Sequence, residues 1–523
     1  MLTISQARSG WPSPEGELAT DHLLEDLGRR SRRGGFVMLA AQAVKAAAQI
    51  ATLVVLARLL PPQAFGLLAM VAAVSTLLDL VKELGLSAAT IQRADITHGQ
   101  VSALFWINAL IGLLFAIMLA LAAPLLAYFY GQPELEAVTR WLALAFVMSG
   151  LSVQHWALLR RQMRFTAIAG IEVAADLVAL AVSLGMALAG FGYWALVAQR
   201  LVAPGLLMVA TWTACRWRPS RPARADGVRE LLGFGASVTV SSLAVAFARS
   251  IDQILIGWLW GAVALGLYER TSKLLLLPIN TINAPVYAAA MPALSRLVEQ
   301  PDRYRSMFRQ VMQKLALLTM PAFVMVAAMS DWIVRFLFGP SWASAAPLVF
   351  FFALSAVYIP VLMASGLLYM TQARTGEMLR ATLVDSAVCL ASILAGLHYG
   401  AVGVAASVAC VGLCVRVPIG FWLATRRGPV GLRALYEALF VPAMTALAAG
   451  AVAGGLRLFV LDGSVMTAGN VALVGGGGIF AAAVVLVASP QTRRELRDLG
   501  SAGLQLLRRR LARRPHPTSV FPS

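Results

Sequence analysis

The sequence predicts an all-α polytopic membrane protein, and its composition and apolar pattern carry that prediction. Of the 523 residues, 59% are hydrophobic and 13% are charged, whereas a soluble chain of this length carries about 25% charged residues. The mean hydropathy is +0.75. The apolar residues come in repeated runs of about 20, the length at which a helix crosses the ~30 Å hydrocarbon core of a bilayer. A transmembrane β-barrel would instead show alternating segments of about 10 residues.

The apolar runs predict about fourteen transmembrane helices, which we number one to fourteen in chain order. Two pairs of runs have almost no linker, since they meet at Gly190–Gly192 and at Tyr399–Gly400, so either pair could be split wrongly. The runs lie at 35–58, 63–86, 99–122, 136–158, 166–189, 191–214, 231–256, 262–291, 308–329, 344–370, 377–398, 400–424, 436–457 and 468–489.

The basic residues of the loops predict the orientation of the helices. Lys and Arg collect in the cytoplasmic loops of membrane proteins, and here clusters of Arg occupy alternate loops. They precede the first helix, follow the fourth, sixth, eighth and twelfth helices, and occur again in the tail. We therefore expect an even number of helices with both termini in the cytoplasm.

The net charge of +18 is explained by this topology, and nucleic acid is not an expected partner because no basic patch lies on a soluble module. The chain has no GxxxxGK[ST] phosphate loop and no HExxH, and its five histidines are scattered. The predicted external loops are short, which leaves little room for the catalytic groups of a membrane glycosyltransferase or polymerase. We expect a transporter with no enzymatic activity, no cofactor and no metal.

Ten ionisable residues inside six of the predicted helices form the candidate site. A charge near the centre of a bilayer is costly, so it normally faces an aqueous cavity or a partner. With a rise of about 1.5 Å per residue, these groups lie at overlapping depths. The basic set is Lys45, Arg200, Arg249, Arg270 and Lys273, and the acidic set is Glu172, Asp176, Asp252, Glu269 and Asp385.

A simpler interpretation stays open for two pairs within this set. Arg249 and Asp252 are three residues apart and share a helix face. Glu269 and Lys273 are four residues apart, so each pair could neutralise itself within one helix. Arg270 is rotated away from that face, which makes it the first residue to mutate. Such pairing within a helix does not account for three of the other charges, which are Lys45, Arg200 and Asp385.

Three further charges lie at the predicted cytoplasmic end of the second helix: Asp79, Lys82 and Glu83. They suit a cytoplasmic gate that is closed by ion pairs. A solvated helix end explains them about equally well.

A weak internal repeat predicts the domain organisation. ARLLPPQAFGLL (57–68) aligns with IGWLWGAVALGL (257–268) at a shift of 200, which matches Gly66 with Gly266. A repeat of six helices would give two parallel lobes around a central cavity, a known plan of transporters. The predicted segments are a cytoplasmic N-terminal segment (1–34), an N-lobe of helices one to six (35–215), a cytoplasmic linker (216–230), a C-lobe of helices seven to twelve (231–427), helices thirteen and fourteen (436–489) and a basic cytoplasmic tail (490–523).

Five stretches between 34 and 430 resemble a known family. They are ARLLPPQAFGLLAM (57–70), ATIQRADIT (89–97), LGLYERTSKLLLLP (265–278), PALSRLVEQPDRYR (292–305) and FLFGPSWASAAPL (336–348). The chain thereby resembles the Wzx-type oligosaccharide flippases of the polysaccharide transporter family, and within it the colanic-acid-exporter type. That family belongs to the multidrug/oligosaccharidyl-lipid/polysaccharide exporter superfamily, which also holds multidrug and toxin extrusion antiporters and the peptidoglycan lipid flippase.

The resemblance implies a flippase of the bacterial inner membrane that acts by alternating access. Its substrate would be undecaprenyl-pyrophosphate-linked oligosaccharide repeat units, moved for exopolysaccharide or lipopolysaccharide biosynthesis. Membrane lipid, a polysaccharide polymerase and glycosyltransferases would be its partners, and the alternative is a multidrug or cation antiporter of the same superfamily. The basic set suits contacts with pyrophosphate and sugar, and the acidic set suits ion coupling or charge balance. Because the two sets are equal in number, the site is not plainly cationic.

Overall fold

A computed structural model shows the chain as an assembly of long helices. It describes residues 27–83, 87, 90–91, 96–221, 228–461 and 466–488, and among these it contains no β-strand. The first six long helices are α1 (Leu27–Leu59), α2 (Pro62–Glu83), α3 (His98–Tyr130), α4 (Glu134–Arg161), α5 (Phe165–Leu188) and α6 (Trp194–Ala214).

The helical stretch Val228–Ser295 contains two helices, because its backbone breaks at Gly261. We label its parts α7 (228–260) and α8 (262–295). Then follow α9 (Pro301–Ala328), α10 (Ser330–Leu337), α11 (Ala346–Thr371), α12 (Thr375–Gly396), α13 (Gly400–Val411 and Val417–Thr425, joined by the π-helical turn Gly412–Arg416), α14 (Leu432–Gly455) and α15 (Ala468–Ala488).

The predicted fold class is confirmed, and each predicted helix has a counterpart. Eleven helical segments among the described residues are long and apolar enough to cross a membrane. One of them, 375–425, contains the eleventh and twelfth predicted helices, and another, 250–295, contains the eighth and the end of the seventh. The helix α2 contributes a shorter apolar stretch, Pro62–Thr76. The chain is therefore a multi-pass membrane protein.

Glycines in the left-handed region divide the helix pairs that have almost no linker. Gly190 and Gly192 have φ values of 82° and 56°, and Gly400 has a φ of 77°. L-residues with a side chain pay a steric cost at these angles, whereas glycine does not. The backbone therefore turns at these positions, and both divisions predicted from the sequence are correct.

The start of α1 differs from the prediction. The helix begins at Leu27 and not at 35, so four arginines expected to precede it lie in its first turns. They are Arg29, Arg30, Arg32 and Arg33. Polar and charged residues continue a helix beyond its apolar run, which hydropathy alone does not detect. Residues 1–26, most of the predicted N-terminal segment, and all of the predicted tail lie outside the described residues, as does 222–227 in the predicted linker.

Contacts along the chain divide the described residues into two compact units. One comprises residues within 1–277, 333–349 and 386–408, and the other comprises residues within 278–332, 350–385 and 409–523. In the first unit α3 packs on α4, α4 on α6, and α5 on both α1 and α6. In the second unit α14 packs on α9 and α15. The two-lobe organisation with its boundaries stays a prediction.

Candidate functional site

The charged residues of α8 form a cluster with one arginine of α6. Lys273 and Glu269 form an ion pair across one turn of the helix, through Glu269 Oε1. Arg270 Nε lies 3.8 Å from the other carboxylate oxygen, Oε2. Arg200 on α6 lies within electrostatic range of all three groups. We call Arg200, Glu269, Arg270 and Lys273 the α8 cluster.

The members of the α8 cluster differ in accessibility. The side chain of Glu269 is 9% exposed and that of Arg270 is 12% exposed, whereas Lys273 is 44% exposed and Arg200 is exposed. In a membrane helix, exposure means contact with lipid or with a water-filled space. A molecule that approaches the cluster can therefore reach Lys273 and Arg200 far more readily than Arg270.

Arg270 is held by an aromatic ring. Its guanidinium carbon lies 3.9 Å from the ring centroid of Phe65 on α2, a cation–π contact. Phe65 is buried and packs in turn against Trp342, with the ring centroids 5.4 Å apart. The expectation that Arg270 is the charge left without a partner in its own helix is corrected, because its guanidinium contacts both Glu269 and this ring.

A second cluster joins α1 to α5. Lys45 Nζ donates to Glu172 Oε2 at 2.8 Å and lies 3.9 Å from Asp176 Oδ2. The four-residue spacing of the two acids puts both on the face of α5 that packs on α1. Lys45 is therefore neutralised by a neighbouring helix, which pairing within its own helix could not explain.

Asp385 on α12 is also neutralised by a neighbouring helix. Its two carboxylate oxygens accept from Arg416 Nε at 2.7 Å and from a terminal guanidinium nitrogen of the same residue at 2.8 Å. Such a two-bond arginine–carboxylate pair is among the stronger polar contacts in proteins. Arg416 lies in the π-helical turn of α13 and was not among the predicted site residues. The signal that could have found it is an arginine inside the apolar run of the twelfth predicted helix.

Asp252 on α7 is held by hydrogen bonds. Tyr268 donates its hydroxyl to Asp252 Oδ2 at 2.9 Å, and the backbone N–H of Gln253 donates to Oδ1 at 2.8 Å. Its predicted pairing with Arg249 is not tested, because the side chain of Arg249 lies outside what the structure describes. The same holds for the predicted cytoplasmic gate, whose side chains are likewise outside it: Asp79, Lys82 and Glu83.

The structure divides the charged residues into separate groups with different net charges, whereas the sequence gives only their total. The α8 cluster has three basic groups and one carboxylate, a formal net charge of +2. The cluster of Lys45 has one basic group and two carboxylates, a net charge of −1. The pair of Asp385 and Arg416 is neutral. Of these three groups, the α8 cluster alone has the sign that attracts an anion.

Sequence comparison places the chain among proteins of polysaccharide biosynthesis. Residues 55–347 match the family described as polysaccharide biosynthesis protein. The teichuronic acid biosynthesis protein TuaB of Bacillus subtilis (strain 168) is 27% identical over 427 residues, which cover 80% of this chain and 87% of TuaB. The lipopolysaccharide biosynthesis protein WzxC of Escherichia coli (strain K12) is 23% identical over 357 residues, 67% of this chain and 72% of WzxC.

Solved structures agree in fold. The lipid II flippase MurJ, in an inward closed conformation, matches with a TM-score of 0.68 at 13% identity, over 88% of this chain and 99% of that chain. An inward-facing multidrug resistance transporter of the MATE family, of the MOP superfamily, matches with a TM-score of 0.57 at 14% identity, over 75% of this chain and 96% of that chain. These likenesses show the fold. The sequence match covers more than half of the chain, so the chain belongs to the family of polysaccharide biosynthesis proteins.

Proposed function

We propose that this protein is a flippase that moves undecaprenyl-pyrophosphate-linked oligosaccharide repeat units from the cytoplasmic to the external leaflet of the bacterial inner membrane. Its family membership supports a role in polysaccharide biosynthesis. TuaB and WzxC are named for the biosynthesis of teichuronic acid and lipopolysaccharide, and MurJ is named as a lipid II flippase. A protein that moves the lipid-linked precursor of a surface polysaccharide fits all of these.

The observation that carries the proposal is the α8 cluster. A net positive charge inside a membrane-spanning helix is costly unless it serves an ionic partner. Lys273 and Arg200 are the reachable members, and ammonium and guanidinium groups both bind phosphate oxygens. The pyrophosphate of a polyprenyl-linked sugar is such a partner, since it lies at the junction between the lipid and the oligosaccharide.

In this proposal both termini lie in the cytoplasm, because the arginine-rich loops alternate along the chain and such loops collect on the cytoplasmic side. The protein alternates between states open to either side, the mode of action that two repeated lobes around a midplane site would permit. It carries out no covalent chemistry, so glycosyltransferases build its substrate and a polysaccharide polymerase consumes its product. These enzymes act before and after it as partners in the same biosynthesis.

A leaflet-accessibility assay tests the proposal. The purified protein is reconstituted into liposomes that contain a fluorescent undecaprenyl-pyrophosphate-linked oligosaccharide, and a membrane-impermeant reagent reports how much of it each leaflet holds. We expect the protected fraction to become accessible with the protein and to stay protected in protein-free liposomes and with the double variant R200Q/K273Q. If correctly folded, reconstituted protein moves none of the lipid, the proposal is wrong.

The alternative, a multidrug or cation antiporter, has one observation in its favour. The cluster of Lys45, Glu172 and Asp176 has a surplus carboxylate, which suits a proton or a monovalent cation. Liposomes of the same kind without any polyprenyl lipid distinguish the two functions. An antiporter would take up a soluble organic cation in exchange for protons or sodium ions that leave down an imposed gradient.

A further inference from the structure

Within the α8 cluster a single carboxylate is shared among the basic groups. Glu269 directs Oε1 toward Lys273 and Oε2 toward Arg270, and Arg200 lies within electrostatic range of it. Its side chain is nearly buried. Glu269 therefore lies where an incoming anion would have to lie to meet the same cations.

The two cations beside Glu269 differ in their freedom to leave it. Arg270 packs on the face of Phe65, and its Nε makes no hydrogen bond within the part of the chain that the structure describes. Lys273 is almost half exposed and has a flexible four-carbon stem. Lys273 can swing away from Glu269 at little cost, whereas Arg270 stays beside it.

We propose that Glu269 is a resident counter-ion that competes with the pyrophosphate of the substrate for Lys273. On binding, Lys273 leaves Glu269 and joins Arg200 on the pyrophosphate, while Glu269 keeps Arg270 as its partner. On release, Glu269 recaptures Lys273, which lowers the affinity for the substrate and lets it go. This inference rests on the proposed function and adds to it the residue that sets substrate affinity.

The other two charged groups do not have this arrangement. Lys45 already faces the carboxylates of Glu172 and Asp176, so a further anion would be repelled. Arg416 makes two bonds with Asp385, and an anion would have to break both. In the α8 cluster one flexible ion pair is exchanged for another, and the incoming anion offsets the cluster's surplus of positive charge.

Binding of undecaprenyl pyrophosphate to the purified protein in nanodiscs tests the inference. We compare the wild type with E269Q, which keeps the size of the side chain and removes the competing charge. The affinity of E269Q is expected to rise about tenfold, the change that 1.4 kcal/mol produces. In the double variant E269Q/K273Q this gain in affinity should disappear, because the ammonium group of Lys273, which E269Q releases for binding, is absent.

The chain offers a matched control in E437Q. Glu437 on α14 accepts from Arg433 at 2.9 Å and lies 3.7 Å from Arg309, so it too is a carboxylate shared by two basic groups, yet it is outside the cluster. Its substitution should leave the affinity for undecaprenyl pyrophosphate unchanged. A gain of equal size in E437Q would show a general effect of net charge and would overturn the inference.

An unchanged or weaker affinity of E269Q also overturns it, provided that the wild type moves the lipid-linked oligosaccharide in liposomes. If instead the wild type neither binds nor moves that lipid, the proposed function itself fails. If E269Q does not reach the membrane, E269D is the second variant. Its shorter side chain withdraws the carboxylate from Lys273, so a smaller rise in affinity is expected, and no rise is again a refutation.

Discussion

Gly66 on α2 and Gly266 on α8 make the same contact from opposite sides. A Cβ added at Gly66 would overlap the carbonyl of Ala262, and one added at Gly266 would overlap the carbonyl of Pro62. The shift of 200 that aligns the two sequence segments matches Gly66 with Gly266 and Pro62 with Ala262, so it turns each of these contacts into the other. A reciprocal contact of this kind is the property of a two-fold interface. The two glycines thus let two similar helices approach each other closely about a local two-fold relationship, as small residues do in membranes.

The end of α10 and the 3-10 turn after it (Pro340–Ala345) contact the end of α1 and the start of α2. The indole N–H of Trp342 donates to the carbonyl of Ala57 at 2.7 Å, and Arg58 Nε donates to the carbonyl of Leu337 at 3.0 Å. Trp342 is fully buried and packs on Phe65. The stretches ARLLPPQAFGLL and FLFGPSW, which carry the family resemblance, therefore contact one another and have a shared structural role.

The first prediction concerns the glycine contact. In G66A or G266A the added methyl group would force the backbones of α2 and α8 apart, so we expect a lower melting temperature of the purified protein and loss of export in a strain that lacks the native protein. The control is G170A on α5, where a Cβ would meet no atom within 4 Å. Alanine favours a helix by about 1 kcal/mol over glycine, so G170A should be neutral or slightly stabilising. Equal melting temperatures for all three variants would contradict the close contact.

The second prediction separates two neighbouring cations of α8. K273Q should abolish movement of the lipid-linked oligosaccharide while the amount of protein in the membrane stays normal, because Lys273 is the reachable group. R270Q should lower the melting temperature, because it removes the contact with Phe65 and leaves Glu269 with one partner fewer. Flipping assays and thermal unfolding on the same preparations check both. Normal flipping in K273Q would remove this residue from the proposed site.

The third prediction concerns the ion pair between α1 and α5. K45M leaves two carboxylates on α5 without their ammonium partner, and breaking a buried pair costs about 3–5 kcal/mol. Because Lys45 and Glu172 are each about one fifth exposed, we expect about half of that loss. The double variant K45M/E172Q should recover part of it, which a double-mutant cycle of thermal stability measures. Additive effects of the two substitutions would show that the pair does not interact.

The fourth prediction concerns the geometry of Arg416. R416K keeps the positive charge but replaces the planar fork, which makes two bonds to Asp385, with a single ammonium. We expect a loss of about 1 kcal/mol in stability, the net value of one hydrogen bond. R416Q should lose more, since it leaves Asp385 charged and unpaired inside the membrane. If R416K and R416Q unfold at the same temperature as the wild type, the pair contributes nothing to stability.

The helices were predictable because each is specified by its own sequence. In a bilayer every backbone polar group must be paired internally, so an apolar run of sufficient length forms a helix whatever surrounds it. The helices α3, α4 and α5 accordingly begin within two residues of their predicted first residues. The start of α1 was misplaced because its first turns are polar, and polarity does not prevent a helix from continuing beyond the membrane.

The candidate site was predictable as a set of residues but not as an arrangement. Charges inside apolar runs are visible in the sequence, and so is the four-residue spacing that pairs Glu269 with Lys273. The partner of Lys45 is 127 positions away and that of Asp385 is 31 positions away. Nothing local in the sequence indicates such pairs, because they depend on which faces of two helices meet.

The sequence by itself determined that this chain is a membrane protein of many helices, where those helices lie, and which of its residues are charged at depth. Tertiary structure decided which apolar face packs and which charges meet. Leu119 and Leu121 on α3 illustrate the reason, since one is 1% and the other 74% exposed. A face toward lipid and a face toward protein are both apolar, so hydropathy does not distinguish them. Helix packing alone joined the acid of one helix to the base of another and left the α8 cluster with its positive charge.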